Sequence, residues 1–426
     1  MANVGKNCYI CSLFVKACMN TDDLRALFPQ LAEKVYGRNL VYLDNAATSL
    51  RPLSVVDTWE DMSLKHNSNL HRAVHKTAVD ATEAFENTRK KVASFIGAVH
   101  AEEIIFTSGT TQSVNLLSSC LENSGFFSEG DEIVIAECEH HSDIVPWQLV
   151  AWRNGLKIRV LPVDDNGEIR MDSLPGLLSG KTKICCVAHV SNVLGIVNPI
   201  AEIADICHAN GTLLFVDGAQ GIVHQKVDVG RLGCDFYAFS AHKMYGVPGV
   251  GVLYGKKSLL DNLPPYMGGG EMIESVAWDN TTFAPVPRRF EAGTQNISGV
   301  PALGAAIELC KTLNDSAIAL NLEALKSFVY NALSSISGIK IFGTPGDLDK
   351  KIPLFSIAVE GAHHEDLALI LDKMGIAVRS GQMCAEPLMT RFGVTGMLRA
   401  SFAPYNTMEE AEYFVNCLKK AVKMLK

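Results

Sequence analysis

The stretch TLLFVDGAQGIVHQKVDVGRLGCDFYAFSAHK, residues 212–243, decides the fold. It contains two short apolar runs, TLLFVD (212–217) and DFYAFS (235–240). The first run ends in Asp217, and the second leads into the polar segment Ser240-Ala241-His242-Lys243. Continuous apolar runs joined by a crossover segment are typical of neighbouring strands in a parallel sheet that is buried on both faces. The stretch therefore predicts an α/β fold.

The same alternation extends outward over residues 100–255. Five more apolar runs occur there, each followed by a polar or glycine-containing loop: EEIIFT (102–107), DEIVIAE (131–137), LKIRVLPV (156–163), TKICCVAHV (182–190) and GVGVLY (249–254). Between two of the runs, PIAEIADICHANG (199–211) has the spacing of an amphipathic helix that is closed by a glycine. The pattern predicts a mostly parallel seven-stranded sheet covered by helices on both faces.

A chain of 426 residues is longer than one compact core usually holds, so we expect more than one domain. Helical spacing predicts a helix over residues 22–35 and another over residues 408–426. The runs KIPLFSIAVE (351–360) and GIAVRSG (375–381) predict a strand pair near the C-terminus. We expect three parts: an N-terminal extension and helix (1–35) that packs with the small domain, a large domain (36–305) and a smaller α+β C-terminal domain (306–426).

Composition excludes several classes of protein. The formal net charge of -8 argues against a nucleic-acid binder or a binder of anionic membranes, because both need a basic surface. No apolar run approaches the length needed to span a bilayer. The 12 cysteines are too sparse for a secreted disulfide scaffold, and the pair Cys8 and Cys11 has no second pair at zinc-finger spacing. We expect a cytoplasmic protein with no processed leader, although an organelle is left open.

Polar residues follow the predicted strands one after another. Ligands of an open parallel sheet bind beyond the carboxyl ends of its strands, so these residues point to one ligand site. They are Ser108-Gly109-Thr110-Thr111, Cys138-Glu139-His140-His141, Ser191-Asn192, Asp217 and Ser240-Ala241-His242-Lys243.

The types of these residues narrow the choice of ligand. A buried carboxylate such as Asp217 needs a cation, and Lys243 lies one crossover later in the chain. Small residues that open a helix after Ser108 leave amide groups free to bind a phosphate. An amine, an acid, a histidine and a phosphate site together suit pyridoxal 5′-phosphate, with Lys243 as the Schiff-base lysine. Taken singly, Asp217 could be a strand-end cap and Lys243 a surface lysine.

At these residues the chain resembles the fold-type-I, class V aminotransferase group, and within it the SufS-type (group II) cysteine desulfurases. The resemblance runs from Tyr42 almost to the C-terminus. The motifs that carry it are LDNAAT (43–48), HRAVH (71–75), SGTT (108–111), EHHSDIVPW (139–147), HVSNVLG (189–195), VDGAQ (216–220), SAHKMYGVPGVG (240–251), RFEAGTQN (289–296) and RSGQMCAEPL (379–388).

The resemblance implies a role for individual residues. Lys243 would carry the cofactor, His140 would stack on its ring and Asp217 would pair with its pyridine nitrogen. Two residues would contact the ring oxygen side, Asn192 and Gln220. The phosphate would be held by Thr110, Thr111, Ser240 and His242, with Thr294 arriving from the partner subunit of a homodimer. Near the substrate would lie Arg379, which binds its carboxylate, together with Asn45, His71 and Arg399.

The resemblance also implies the reaction. A cysteine desulfurase converts L-cysteine to L-alanine and leaves a persulfide, here on Cys384, whose sulfur passes to a SufE- or SufU-like acceptor for iron–sulfur cluster assembly. Cys384 follows a predicted strand and lies five residues after Arg379. The thiolate is the reactive form of cysteine and nearby positive charge favours it, so the position suits a nucleophile.

One segment departs from the family pattern. Many relatives have two histidines directly before the reactive cysteine, whereas this chain has Gln382 and Met383, which do not shuttle protons. The alternative functions are a selenocysteine lyase, acting on L-selenocysteine, or another class V lyase or aminotransferase that does not need the thiol. A non-catalytic scaffold disagrees with the joint presence of Lys243, Asp217 and His140. A metal site at Cys138 lacks a second ligand group, and we expect none.

Overall fold

The structure is a computed structural model, and it describes residues 20–313 and 316–426. Cys8, Cys11 and the rest of the predicted extension up to residue 19 lie outside the described residues. The strands are β1 (Lys34–Val35), β2 (Arg38–Asn39), β3 (Val41–Tyr42), β4 (Ile104–Thr107), β5 (Glu132–Ala136), β6 (Lys157–Leu161), β7 (Thr182–Ala188), β8 (Leu213–Asp217), β9 (Phe236–Ser240), β10 (Gly251–Gly255), β11 (Ile273–Val276), β12 (Thr281–Phe283), β13 (Ile339–Phe342), β14 (Leu354–Val359), β15 (Ile376–Ala377), β16 (Arg379–Gly381) and β17 (Met397–Ser401).

The helices connect and cover these strands. They are α1 (Thr21–Ala26), α2 (Leu53–Lys65), α3 (Lys76–Ile96), α4 (Thr110–Asn123), α5 (Val145–Asn154), α6 (Leu174–Leu177), α7 (Ile200–Ala209), α8 (Gly221–His224), α9 (Val229–Leu232), α10 (Lys257–Leu260), α11 (Gly299–Leu313), α12 (Ser316–Ser334), α13 (His364–Lys373), α14 (Glu386–Phe392) and α15 (Met408–Leu425). Within the described ranges, no helix is long and apolar enough to cross a membrane.

The predicted seven-stranded sheet is confirmed. Its strand order is β4-β10-β9-β8-β7-β5-β6, and β10 alone runs antiparallel to its neighbours. Side chains of a strand alternate between the two faces, so a run of apolar residues fills both. In β5, Val134 and Ala136 join the core on one face, whereas Ile133 and Ile135 join the core on the other. The fold is therefore α/β, with helices on both faces of the sheet.

A second, four-stranded sheet forms the core of the C-terminal part, in the order β13-β14-β17-β16. The prediction that residues 351–360 pair with residues 375–381 is wrong, because β17 lies between β14 and β16 and pairs with both. The second run also divides, since β15 pairs with β3 from the N-terminal part of the chain. Sequence periodicity identifies strands but carries little information about which strands are neighbours.

The helix α11 crosses the predicted domain boundary between residues 305 and 306 without a break. Leu309 and Leu313, which come after that boundary, still pack into the core of the large sheet. The smaller sheet has a separate core. After the predicted boundary, the first buried residue that belongs to this core is Leu325 of α12.

The predicted helix over residues 22–35 is shorter than expected. The α-helix ends at Ala26, and a 3₁₀ turn begins at Pro29, whose ring and missing N–H do not fit a helix interior. Arg25 forms an ion pair of 2.8 Å with Glu410 in the last helix, and the Phe28 ring lies 4.6 Å from that of Tyr405. The N-terminal helix is thereby attached to the C-terminal part.

Lys351 joins the smaller sheet to the loop that follows β7. Its Nζ donates to the carbonyl oxygens of Leu194 (2.6 Å) and Gly343 (2.7 Å), and Ile196 forms a β-bridge with it. Burial lowers the pKa of this lysine to about 7. The loop that it holds carries Asn192, one of the predicted site residues.

Replacing Lys351 with methionine tests this buried amine. Between about pH 7 and about pH 10 the unfolded chain keeps the proton that the folded chain has released. The unfolded state then binds more protons, so this lysine makes stability rise with pH by at most about 1.4 kcal/mol per pH unit. We expect the urea-derived free energy of unfolding to rise less steeply with pH in Lys351→Met than in the wild type.

The exposed neighbour Lys350 is the matched control, because it pairs with Glu168 and its pKa is raised. Lys350→Met should therefore leave the slope over this interval unchanged. Parallel curves for the wild type and Lys351→Met would show that the amine stays charged in the folded protein.

Candidate functional site

A cavity of about 190 Å³ lies at the carboxyl ends of the central strands. It is closed on one side by loops of the large sheet and on the other by β16, β17 and the loop after β16. The lining residues are Ala46, Ala47, Thr110, Thr111, His140, Ser142, Asn192, Asp217, Ala219, Ser240, His242, Lys243, Arg379, Met383, Cys384 and Arg399.

Asp217 and Lys243 face this cavity from neighbouring parallel strands. Asp217 is the last residue of β8 and is 5% exposed, and its Oδ1 accepts a hydrogen bond of 2.8 Å from the amide of Ala219. Lys243 ends the short 3₁₀ turn that follows β9. Burial raises the pKa of Asp217, and the positive charge of Lys243 opposes that rise. The acid and the amine therefore act on each other inside the protein.

The amine of Lys243 is held in a state that favours reaction with a carbonyl carbon. Burial lowers its pKa, and the negative charge of Asp217 only partly offsets this effect. Among the described residues, no hydrogen bond or ion pair engages its Nζ. An unengaged lysine amine with a lowered pKa is the form that makes covalent links to aldehydes.

The ring of His140 is neutral. Its Nδ1 accepts a hydrogen bond of 3.0 Å from the amide of Ser142 and lies 2.8 Å from the Ser142 hydroxyl. Burial, reinforced by the charge of Lys243, lowers the pKa of His140 to about 3. The imidazole therefore presents an uncharged flat face to the cavity at neutral pH.

The N-terminus of α4 forms an anion cradle beside Ser240. The Ser240 hydroxyl accepts a hydrogen bond of 2.8 Å from the Thr110 amide and lies 2.8 Å from the Thr110 hydroxyl. A Cβ on Gly251 would collide with the backbone of Gly109, so glycine is needed where the two segments meet. Helix N-termini with free amides attract anions. Also lining the cavity is His242, whose pKa burial lowers to about 4.

Two arginines lie opposite each other in adjacent antiparallel strands. Arg379 of β16 is the direct partner of Arg399 in β17. Arg399 is 2% exposed, with Nη1 donating to the Asn192 carbonyl (2.7 Å) and Nη2 to Asp44 Oδ1 (3.2 Å). Its Nε has no partner among the described residues. Burial and Arg379 lower the pKa of Arg399 to about 10. Like charges placed opposite each other are unfavourable, and a bound anion would relieve them.

Cys384 is exposed and lies on a loop that the cavity walls hold in place. Met383 and Cys384 both have positive φ angles, 54° and 56°, which L-residues adopt at a cost. The Met383 carbonyl accepts from Asn192 Nδ2 (2.9 Å), and the Cys384 carbonyl accepts from the His141 amide (2.7 Å). The His141 Nε2 accepts from the Glu386 amide (3.0 Å). These bonds hold the thiol at the rim of the cavity.

Four predicted site residues do not line the cavity. Gln220 is buried one layer behind it, where its Nε2 donates to the Ala46 carbonyl (2.7 Å). Asn45 is also buried and bonds to the hydroxyl of Tyr405.

The other two are Thr294 and His71. Thr294 is exposed on the surface of the chain. His71 has its Nε2 3.6 Å from Glu86 Oε1 and borders a smaller hollow shared with Gly293 and Gln295. The described chain alone brings neither residue to the cavity.

Sequence reasoning missed several residues of the site. Ala46, Ala47, Ser142, Ala219 and Met383 line the cavity, although no role was assigned to them. They lie inside or next to the quoted motifs, and that neighbourhood was the only signal available. Asp44, the ion-pair partner of Arg399, had the same signal in the LDNAAT motif.

In the described part of the chain, no three His, Cys, Asp or Glu side chains are grouped so that they could hold a metal ion. Cys138 is buried, and its sulfur lies 4.0 Å from Asn198. His140 faces Ser142, and the His141 Nε2 is occupied by the amide of Glu386.

The cavity offers the donors that pyridoxal 5′-phosphate needs. Thr110, Thr111 and Ser240 could hold its phosphate at the helix N-terminus. Lys243 supplies a free amine for its aldehyde, and Asp217 supplies a buried carboxylate for its ring nitrogen. His140 supplies a neutral ring face. The residues present therefore fit this cofactor.

The chain is similar to known proteins over almost its whole length. The family model described as Aminotransferase class-V matches residues 41–414. A probable cysteine desulfurase of Vibrio cholerae is 44% identical over 407 residues, which are 96% of this chain and 100% of that protein. A cysteine desulfurase of Dickeya dadantii is 44% identical over 406 residues, 95% of this chain and 97% of that protein.

Two solved structures share the fold. The Escherichia coli cysteine desulfurase CsdA, in an S-sulfonic acid form, superposes with a TM-score of 0.88 at 37% identity, covering 96% of this chain and 100% of that one. The apo cysteine desulfurase of Thermococcus onnurineus gives a TM-score of 0.90 at 38% identity, with the same coverage.

Substitution of the two facing arginines separates a structural role from a binding role. Arg399→Ala removes the partner of Asp44 and of the Asn192 carbonyl, so we expect the free energy of unfolding to fall by about 3 kcal/mol. The guanidinium group of Arg379 has no hydrogen-bond partner among the described residues. Arg379→Ala should therefore change the free energy of unfolding by less than about 0.5 kcal/mol. Urea unfolding of both variants measures the difference. Equal losses would contradict the division of roles.

Proposed function

This chain belongs to the aminotransferase class-V family, and we propose that within it the protein works as a pyridoxal 5′-phosphate-dependent cysteine desulfurase. Its substrate is L-cysteine, and its products are L-alanine and a persulfide sulfur that serves iron–sulfur cluster assembly. The observation that carries the proposal is the shared cavity of Lys243, Asp217 and Cys384. An aminotransferase-like site needs the first two residues, whereas only a sulfur transfer needs the third.

When bound, the cofactor supplies an electron sink for the carbanion that forms at the substrate Cα. Lys243 would hold the cofactor through its Nζ, and the same amine, when free, would move the Cα proton. Asp217 would supply the carboxylate that favours a protonated ring nitrogen. His140 would supply a neutral imidazole against the ring and exclude water there.

The arginine pair is the proposed carboxylate site for the substrate. Among the described residues, the guanidinium group of Arg379 has no hydrogen-bond partner, and the buried Nε of Arg399 has none either. A carboxylate between the two guanidinium groups would accept from both and would separate their charges. Asn192 orients Arg399 through its main-chain carbonyl.

Cys384 is the proposed sulfur acceptor of the first step. Its thiolate attacks the sulfur of the substrate, and a bond forms between Cys384 Sγ and that sulfur while the substrate Cβ–S bond breaks. The electron pair of the broken bond stays on the substrate carbon, which takes up a proton and leaves as L-alanine. One thiol has become a persulfide and one cysteine has become alanine, so no external oxidant or reductant is needed.

We also propose that the sulfur passes on to a SufE- or SufU-like protein, because Cys384 is exposed at the rim of the cavity and a second thiol could approach it. The described cysteines are all free, as a reducing compartment would keep them, and this supports the cytoplasmic location expected from the sequence.

A homodimer is the proposed assembly. The β11–β12 hairpin exposes Trp278 fully and also Val276 and Phe283, and α2 exposes Trp59. Large exposed apolar side chains, such as those that the hairpin presents, are typical of surfaces that a partner covers. Thr294 lies exposed not far along the chain, where a second subunit could receive it.

Replacing Lys243 tests the cofactor link. Lys243→Ala removes the amine that attaches to the aldehyde, so we expect the visible absorbance of the purified protein to be lost on desalting. Alanine formation should fall by about a thousandfold, because the same Nζ moves the Cα proton. The exposed Lys257 is the control, and Lys257→Ala should keep both the colour and the activity. Colour that survives desalting in Lys243→Ala would show that another amine holds the cofactor.

Replacing Cys384 tests the sulfur transfer. We expect Cys384→Ala to keep the visible absorbance and to release alanine from L-cysteine at less than about one hundredth of the parent rate. Cys120→Ala, at a buried cysteine remote from the cavity lining, is the control. Parental alanine and sulfide release in Cys384→Ala would exclude the persulfide. Retained turnover of L-selenocysteine alone would favour the selenocysteine lyase.

A further inference from the structure

The loop that presents His140 contains two acids that the proposed reaction does not use. Glu139 precedes His140 directly, and Asp143 follows it by three residues. Glu139 is 1% exposed and Asp143 is 0% exposed, so neither carboxyl reaches water. No ion pair engages either of them within the described residues. Two buried carboxyl groups without a cation need an explanation, because an isolated buried charge is very unfavourable.

Each acid is satisfied at one oxygen. Glu139 Oε1 accepts a hydrogen bond of 2.6 Å from the Ala188 amide, and Asp143 Oδ1 accepts one of 2.9 Å from Trp147 Nε1. Glu139 Oε2 and Asp143 Oδ2 have no donor among the described residues. The two acids act on each other through a side-chain hydrogen bond that raises the pKa of Glu139 and lowers that of Asp143. Two carboxylate oxygens can only accept, so a bond between these groups exists only when a proton lies between them.

Among the described residues, none of the groups that act most strongly on the pair is a cation. The titratable groups that act on it are Asp217 from β8, Cys185 and Cys186 from β7, and the adjacent Cys138. Burial raises the pKa of both Glu139 and Asp143, and the charge of Asp217 raises both further. Asp143 also raises the pKa of Glu139, whereas the hydrogen bond with Glu139 lowers that of Asp143. The nearby charge of Asp217 makes a second and third negative charge still less favourable.

We propose that Glu139 and Asp143 share one proton at neutral pH and act together as a positioning pair for His140. Glu139 ties the loop to Ala188, which pairs with Asp217 across β7 and β8. Asp143 ties it to Trp147 through its side chain, and its amide donates to the His140 carbonyl (2.8 Å). The shared proton joins the carboxyl groups of Glu139 and Asp143 by a hydrogen bond, so the two attachments of the loop are connected. Asp217 is then the charged acid that faces the cavity.

The shared proton is inferred from the burial and the unpartnered oxygens of the two acids together with their raised pKa values, whereas the role of the pair in positioning His140 rests on the proposed function. The two parts are therefore tested separately, and the first test does not depend on turnover. The cofactor-loaded wild type is compared with the double variant Glu139→Gln/Asp143→Asn, in which two amides of similar size replace the acids. Asp205→Asn, at an exposed acid of α7, is the matched control.

Infrared spectroscopy detects the proton directly, because an un-ionised carboxyl has a carbonyl-stretch band that an ionised carboxylate lacks. At about pH 7, where ordinary carboxyls are ionised, we expect one such band in the wild type and in Asp205→Asn, and its loss in the double variant. A wild-type spectrum equal to that of the double variant would overturn the proposal, whatever the activities are.

The pH dependence of stability gives a second readout. The folded pair holds a proton that the unfolded chain releases above about pH 4, so this pair makes stability fall as pH rises toward its raised pKa. Between about pH 5 and about pH 7 the slope of the wild type should correspond to one more proton bound on folding than in the double variant. Parallel slopes would contradict the shared proton.

The positioning role predicts a contrast between two single variants. Asp143→Asn keeps an acceptor for Trp147 and gains a donor for Glu139. The visible absorbance maximum should therefore stay where it is in the parent, and kcat should stay within about twofold of the parent value. Asp143→Leu cannot replace these bonds, and we expect a shifted visible absorbance and a kcat lowered by about tenfold or more. A parental spectrum and kcat in Asp143→Leu would overturn the positioning role while leaving the reaction itself untouched.

Discussion

The structure depends on the interaction between one buried acid and one buried amine. Asp217 ends β8 and Lys243 ends the 3₁₀ turn that follows the neighbouring parallel strand β9, so both side chains reach the same cavity. Each group is unfavourable in the protein interior without the other, and burial shifts the pKa of both toward the neutral form. The sheet brings the acid and the amine to one cavity, and a cofactor held there would meet both groups.

Much of this arrangement could be predicted from the sequence because it depends on local patterns. A strand buried on both faces is apolar throughout, and the polar residue after it lies at the ligand edge of a parallel sheet. Runs such as TLLFVD (212–217) and DFYAFS (235–240) therefore predict both their strands and the direction of Asp217 and Lys243. The first helix ends before Pro29, and a proline within the predicted helix is a local signal that the sequence contains.

The remainder depends on contacts between distant parts of the chain. Arg379 lies opposite Arg399 only because β17 inserts between β14 and β16, and spacing along the sequence does not reveal that order. The resemblance implies that Gln220 contacts the cofactor, and this stays a prediction. Its Nε2 donates to the carbonyl of Ala46 in the cavity lining, and sequence spacing does not reveal that bond either. Facing carboxyl oxygens are equally invisible in a sequence, since they require the folded positions of both side chains.

The cysteine loop is held mainly through its backbone, so its sequence is less constrained at Gln382 than at the buried Met383. The hydrogen bonds that hold the loop are accepted by the main-chain carbonyls of Met383 and Cys384, and every amino acid has such a carbonyl. The side chain of Gln382 is exposed, with only a long contact to Glu386. The exposed side chain of Gln382 is therefore free to vary, whereas the side chain of Met383 is 3% exposed and packs in the core, so that only an apolar residue of similar volume replaces it without loss of packing.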